Sequence, residues 1–308
     1  MNKIADYDTL DYDYATYWKG REYENMSEHF VLEKIFNSLK GKWFVDIGGS
    51  YGRLTDTYYD RYTNPLIIDY SLKTLQKNYK YLKDKYPNID LIAANAYSLP
   101  FAQNTFDGGL MVRVLHHIEK PQEYFKEVYR IFKPNATYIQ EFANKLHLKA
   151  VISSILRLNF KIFSKEPYQQ PNKKNYEGAR KGSSVPFLNY HTSWIVNTLN
   201  DTGFVVEGKY GCSFLRLNIL KRILGTKLLL LLERFFQFAF SWSNISPSIF
   251  IKSKIQKDIQ NEDVSSSLED ILVCPICKEG MEIKGGKATC NDCKKTFKKV
   301  QNIWDFRV

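Results

Sequence analysis

Val45-Asp46-Ile47-Gly48-Gly49-Ser50-Tyr51-Gly52 continues the apolar run Trp43-Phe44, and the next such run, Leu66-Ile67-Ile68-Asp69, ends in a carboxylate. An apolar strand that enters a glycine-containing turn, with an acid closing the following strand, is the pattern of a nucleoside-binding α/β sheet. Gly48 and Gly52 let backbone pass close to a ligand, and a carboxylate at a strand end can accept both ribose hydroxyl protons. A dinucleotide fingerprint would need glycine where this chain has Ser50 and Arg53. Nicotinamide and flavin dinucleotides are therefore disfavoured, because the pyrophosphate loses the bare backbone it uses.

Outward from this segment, apolar runs alternate with helical periodicity. Trp43–Ile47, Pro65–Asp69, Ile89–Asn95, Phe106–Val112 and Ala136–Phe142 are predicted as five parallel strands. Gly52–Arg61 is predicted as a helix, and Ser71 caps another whose Leu72, Leu75, Tyr79, Leu82 and Tyr86 recur at spacings of three and four. Pro121 opens a helix with Tyr124, Val128, Ile131 and Phe132 on its apolar face, and Lys133-Pro134-Asn135 ends it. Thr192–Thr202 is read as a helix stopped by Gly203, followed by strands Phe204–Glu207 and Ser248–Lys252 as a hairpin-like pair. Residues 1–40 read as helical. The expectation is an α/β fold with a seven-stranded, doubly wound sheet.

The spacing Asp46-x-Gly48-x-x-x-Gly52 with Asp69 downstream resembles the first motifs of class I S-adenosylmethionine-dependent methyltransferases, with Ser50 in place of the usual middle glycine. Ala94-Asn95-Ala96-Tyr97-Ser98-Leu99-Pro100-Phe101 resembles the segment that holds adenine, Asn95 standing where aspartate is usual. Phe106-Asp107-Gly108-Gly109-Leu110-Met111-Val112-Arg113-Val114-Leu115-His116-His117-Ile118 resembles the fourth strand and the turn after it. Residues 40–145 together resemble the type-11 methyltransferases, the group that includes the ubiquinone and menaquinone biosynthesis enzymes. The resemblance implies a Rossmann-like methyltransferase sheet and S-adenosylmethionine as cofactor. It assigns Gly48, Gly49 and Gly52 to the methionine-binding loop, Asp46 to its orientation, Asp69 with neighbouring Tyr70 to ribose, and Asn95 with Ala96 to adenine; Arg113 joins the cofactor set. It also makes Tyr14, Tyr17 and Trp18 plausible lid residues. His116, His117 and Glu141 fall near the expected strand ends, where each either accepts a proton from the methyl acceptor or plays a structural part, and no catalytic base is assigned.

Lysine and arginine number 44 against 33 aspartate and glutamate, a net charge of +11. The excess is concentrated: segments 145–190 and 209–260 each carry nine basic and two acidic residues, so the rest of the chain is slightly acidic. Such fields attract phosphate-bearing partners or serve only for solubility. Residues 143–190 begin with an apolar and basic helix and become polar between Lys165 and Ser184, a mobile cover in expectation. Residues 213–242 are dense in aliphatic and aromatic side chains. Two readings stand: a helix pair packed on the sheet edge, or an amphipathic surface for a lipid-like substrate or a membrane interface. The longest purely apolar run, Leu228–Leu232, is too short to span a bilayer, and polar Met1–Asp6 lacks the pattern of a leader, so a cytoplasmic location with possible peripheral membrane contact is expected.

Near the C-terminus, Cys274-Pro275-Ile276-Cys277 and Cys290-Asn291-Asp292-Cys293 form two C-x-x-C pairs separated by twelve residues. Two such knuckles can close a tetrahedral thiolate site, which leaves no position to activate water, so Cys274, Cys277, Cys290 and Cys293 are read as ligands of a structural zinc ion. Cys212 stands apart. With Phe297 and Asn302-Ile303-Trp304-Asp305-Phe306 the tail resembles the small zinc-ribbon protein that activates several methyltransferases acting on tRNA and translation factors, with Gln301-Asn302 replacing that family's acidic-glycine turn. The expected division is a methyltransferase domain, 1–255, and a zinc ribbon, 268–308. A small-molecule or lipid-like methyl acceptor follows from the apolar insertion and the type-11 resemblance. Methylation of tRNA or rRNA, and a catalytically silent cofactor-binding assembly protein, are the alternatives; oligomeric state is open.

Overall fold

The computed structural model of the chain describes residues 8, 14–169, 187–258 and 267–308. Its centre is the sheet that the alternating pattern predicts. Strands β1 (Gly41–Ile47), β2 (Tyr62–Asp69), β3 (Asp90–Ala93), β4 (Phe106–Met111) and β5 (Phe132–Ala143) are parallel in the order β3-β2-β1-β4-β5. A short antiparallel pair, β6 (Tyr168–Gln169) with β7 (Leu188–Asn189), stands outside it. Strand β9 (Ser248–Ile255) runs antiparallel to β5, and β8 (Phe204–Cys212) antiparallel to β9. Strand order reverses at β1/β4, the switch point where doubly wound sheets open a crevice at their carboxyl ends.

Alternation along β1 sends Val45 and Ile47 to one face and Phe44 to the other. On the first face they pack with helices α3 (Pro121–Ile131) and α5 (Thr192–Asp201), through Tyr124, Phe125, Val128, Ile195 and Leu199. Phe44 meets Val31, Leu32, Ile35 and Phe36 of α1 (Glu22–Phe36), while Leu72, Leu75 and Leu82 of α2 (Leu72–Lys85) cover Ile67.

The structure corrects several sequence expectations. Gly52–Arg61 forms two short 3-10 turns, Thr55–Thr57 and Tyr59–Arg61, in place of a helix. Thr57 Oγ1 donates to the Leu54 carbonyl at 2.7 Å, the local side-chain competition by which threonine disfavours a continuing helix. Phe132 opens β5 instead of closing α3. Residues 213–242 hold the expected helix pair, written here as α6 (Asn218–Phe240) with a non-helical break at Gly225 (φ 67°), but it packs chiefly on α1 and only in part on the edge strand β8. The polar segment between Lys165 and Ser184 falls in large part outside the described residues.

The cysteine tail is built onto the sheet. Strands β10 (Met281–Lys284), β11 (Lys287–Cys290), β12 (Thr296–Val300) and β13 (Ile303–Asp305) form an antiparallel meander, and β13 pairs in parallel with β3 through Trp304↔Ile92 and Asp305↔Ala93. Phe297, Trp304 and Phe306 share one apolar cluster with Ile92, Leu99 and Phe101. Lys278 Nζ donates to Glu127 Oε1 at 2.7 Å, and Val273 N–H to the Pro100 carbonyl at 3.1 Å. The edge of β3, which would otherwise expose unpaired backbone groups, is covered by the protein's own tail.

Candidate active site and cysteine cluster

The first cleft lies over the carboxyl ends of β1, β2 and β4 and encloses about 870 Å³ out to its mouth. Gly48, Asp69, Tyr70, Asn95, Ala96 and Arg113 all line it; Asp46, Gly49 and Gly52 do not. Those three support the loop from beneath. A Cβ on Gly49 would fall 2.7 Å from Asp46 Cγ, and one on Gly52 2.5 Å from Leu82 Cδ2. Gly48 has φ +78° and leaves no room for a side chain against Val114. Ser50 itself sits at φ 52°, a region uncommon for residues with a Cβ, and this explains why a glycine suits its position.

Asp69 Oδ2 accepts the Ser50 N–H at 2.9 Å and Oδ1 the Ser71 N–H at 2.8 Å. Each oxygen retains acceptor capacity, so the carboxylate is anchored by backbone and still open to two hydroxyl donors. Burial pushes its carboxyl up to about 6; the Ser71 and Ser50 amides oppose that rise and the charge of Asp8 adds to it. Asp46, fully enclosed, is raised by burial to about 7, although Tyr58 donates to its Oδ2 at 3.0 Å and Arg53 lies near. Asn95 Oδ1 accepts the Tyr97 N–H at 3.0 Å, closing a local turn and leaving the amide N–H₂ for a ligand. An adenosine cofactor fits this donor and acceptor set. Apolar Ile47, Ile68, Val112 and Ile118 supply surface for a base and a thioether chain.

Arg113 borders the cleft and a second, polar chamber of about 520 Å³. It adopts φ 62°, a strained conformation for a bulky residue, and its N–H donates to Glu141 Oε2 at 2.8 Å. Its guanidinium Nε donates to Glu28 Oε1 at 2.7 Å, while Arg53 Nη2 donates to Glu28 Oε2 at 2.5 Å. Burial raises the Glu28 carboxyl, but the two guanidiniums outweigh it and hold it below the usual carboxylate range. Arg53 also lies 3.7 Å from the ring centre of Trp18. The ion cluster thus pins α1 and the Tyr14–Trp18 turn over the site: Tyr14 lines the cleft, Tyr17 the chamber, and their rings stack at 5.6 Å.

Glu141 and His116 line the chamber, whereas His117 lines the first cleft. Burial raises the Glu141 carboxyl, which accepts the Ser248 hydroxyl at 2.5 Å. Asn144, His147, Asn189 and Arg216 complete the chamber and were not singled out by sequence reasoning. They come from chain segments that converge only in the fold. Asn144 immediately follows β5, and its place at a carboxyl strand end is the one signal that marked it.

Each of Cys274, Cys277, Cys290 and Cys293 places its sulfur within 4.8 Å of the other three. The Sγ separations Cys274–Cys293 and Cys277–Cys290 are 3.6 and 3.3 Å, far longer than a disulfide and near the roughly 3.8 Å edge of a tetrahedron with Zn–S bonds of about 2.3 Å. Four thiolates at this spacing fit a closed structural zinc site. Cys212 is buried elsewhere, beside Ser213.

Residues 45–139 match the family described as methyltransferase domain. A demethylmenaquinone methyltransferase of Renibacterium salmoninarum is 29% identical over 102 residues, 33% of this chain and 41% of that protein, so the chain spans about two fifths of the length of such curated relatives. Among solved structures, a chain from a complex containing a Haloferax volcanii methyltransferase activator superposes with TM-score 0.55 at 14% identity, covering 83% of this chain and 98% of that one. An S-adenosylmethionine-dependent methyltransferase from Mesorhizobium loti superposes with TM-score 0.50 at 15% identity, covering 74% and 97%. Residues 45–139 thus match a methyltransferase domain, and the surrounding fold is shared with solved S-adenosylmethionine-dependent methyltransferases.

Proposed function

We propose that the protein transfers a methyl group from S-adenosylmethionine to a small, lipid-like acceptor whose polar end occupies the Arg113–Glu141 chamber. The observation that carries this reading is adjacency: Arg113 borders both the adenosine-type cleft and the chamber, which would set an acceptor held in the chamber beside a cofactor held in the cleft. Bound S-adenosylmethionine would supply an electrophilic methyl carbon on a good leaving group. The protein's part is then alignment, which contributes about 7–11 kcal/mol in well-oriented systems. In this reading Asp69 holds ribose, Asn95 and Ala96 meet adenine, and the loop Gly48–Gly52 carries the methionine end, with Asp46 beneath it. Glu141, its carboxyl raised by burial, and His116 are the groups that face an acceptor proton in the chamber.

The relatives' name supports a small-molecule acceptor without identifying one. The apolar groove beside the chamber, walled by Leu148, Ile152, Leu156 and Leu217, favours a lipid-like molecule over RNA. The test is incubation of purified protein with methyl-deuterated S-adenosylmethionine and separate lipid, metabolite and RNA extracts. Deuterium should appear in a lipid or small-molecule fraction, and Asp69→Ala should abolish it. Label confined to RNA would replace this reading with its alternative, and no label anywhere would favour a silent binding protein.

A further inference from the structure

Helix α6 is inside out. Its buried positions include Glu233 and Gln237 alongside Leu229, whereas Ile223, Leu231, Phe235 and Phe238 are 71, 66, 58 and 84% exposed. The inversion is held in place by the polar residues themselves. Glu233 Oε1 accepts the Ser213 N–H at 2.7 Å, its Oε2 accepts the Phe214 N–H at 3.0 Å and the Tyr23 hydroxyl, and Gln237 Nε2 donates to the Ser27 carbonyl at 2.9 Å. The helix therefore cannot roll to hide its apolar face without stranding these groups.

A second element extends the surface. Helix α4 (Leu148–Leu156) exposes Leu148, Ile152, Ile155 and Leu156, and Leu158 and Phe160 follow. Its Leu148 N–H donates to the Ile245 carbonyl at 2.9 Å, which ties it to the segment after α6. Beside α4 lies an open groove of about 1440 Å³ out to its mouth, walled by Leu148, Ile152 and Leu156 of α4, by Phe214 and Leu217 just before α6, and by Ile245 and Pro247 after it. The groove shares His147, Arg216 and Pro247 with the polar chamber, and the chamber in turn adjoins the first cleft at Arg113.

We infer that the α4/α6 face docks on an anionic lipid bilayer and that the groove admits the acceptor from that bilayer. Three observations select this occupant. Exposed apolar residues on this scale mark an interaction surface. The charged residues among them are basic: Lys149, Arg157 and Lys161 around α4, and Arg222, Lys227 and Arg234 on α6, whose acid Glu233 is buried. A second copy is disfavoured because a two-fold contact would set one basic face against another. Third, Ile223, Leu231, Phe235 and Phe238 are exposed along α6 with Arg222, Lys227 and Arg234 exposed beside them, the arrangement of a helix that lies in an interface plane with its cations at headgroup level. The groove then opens where an amphiphile's tail resides, and the chamber beyond it receives the polar end.

This deepens the proposed function by naming where its acceptor resides, but docking is read without turnover, so the two ideas fail separately. Full-length protein is sedimented with vesicles of phosphatidylcholine alone or with phosphatidylglycerol added. Wild type should pellet with the anionic vesicles. Phe235→Ser with Phe238→Ser should reduce the bound fraction about tenfold or more, because the apolar area leaving water is lost. Arg222→Glu with Lys227→Glu should do so on anionic vesicles, and both variants should keep S-adenosylmethionine affinity by calorimetry, which shows that they are folded. Failure of wild type to bind either vesicle, or equal binding by both variants, overturns the inference. So does a vesicle-free dimer that Phe238→Ser dissociates, which assigns the face to a second copy, or tight salt-sensitive tRNA binding without vesicle binding.

Discussion

Arg307 Nη1 lies 2.8 Å from Asp8 Oδ2, joining the cysteine tail to the N-terminal segment across the rim of the cofactor cleft. The other carboxylate oxygen of Asp8 accepts the Ser71 hydroxyl at 2.5 Å, and Ser71 lines the cleft. Arg307 is itself fixed by a fork to Asp305, with two contacts of 2.8 Å, so the position of β13 on β3 is transmitted to the site. Arg307→Ala should weaken S-adenosylmethionine binding several-fold, about 1 kcal/mol for a partly exposed charge-assisted pair, while leaving zinc content unchanged. Calorimetry with metal analysis on the same preparation checks it; unchanged affinity refutes the coupling.

Cofactor affinity should depend on pH through Asp69. In the proposed function ribose hydroxyls would donate to the ionised carboxylate, and burial has raised that group to about 6, with Asp8 and Asp46 as its acidic neighbours. Affinity should be constant above pH 7 and decline as pH falls through about 6, because protonation removes acceptor capacity. Asp69→Asn should bind weakly with this inflection absent. An unchanged pH profile in the variant would reassign the titrating group.

Asp46 makes a separate prediction about stability. Its carboxyl lies near 7 when folded and near its ordinary value of 3.8 when unfolded. The folded state therefore binds more protons across that interval, and this group's contribution favours folding at low pH and is lost as pH rises through about 7. Asp46→Asn should flatten the fall in stability between pH 4 and 7, measured by urea denaturation at a series of pH values.

The cysteine cluster should bind one zinc ion and hold the sheet edge. Cys274→Ser should lower zinc content and release β13 from β3, exposing Trp304, Phe306 and Phe101, so the melting temperature should fall and protease sensitivity rise beyond the tail itself. Cys212→Ser should leave zinc unchanged. A zinc-free wild type purified without chelator would refute the assignment.

Removal of the α6 anchor should be costly where removal of its exposed face is not. Glu233→Ala leaves the buried Ser213 N–H and the half-buried Phe214 N–H without their acceptor, a loss of about 2–4 kcal/mol. Phe238→Ser, on the exposed side, should change stability by less than about 0.5 kcal/mol in lipid-free buffer. Thermal unfolding of the two variants side by side decides this.

Sequence alone determined the β1–β5 framework, because short contiguous apolar runs and glycine turns are local properties that leave few foldings open. It also made legible the glycine turn Asp46–Gly52 with Asp69 at the next strand end, and the cysteine spacing, since each draws on a short run or on one strand end. Tertiary structure alone decided the rest. Glu28 meets Arg53 and Arg113 only because α1 lies across β1 and β4, and the chamber gathers Arg113, Glu141, Asn189 and Arg216 from four segments with no shared local signature. The direction of α6 was equally illegible: its composition allows either face inward, and the choice was made by backbone amides at Ser213 and Phe214 that needed the buried Glu233. The tail's place followed from an unpaired β3 edge, whose hydrogen-bonding groups are a property of the folded sheet and of no single stretch of sequence.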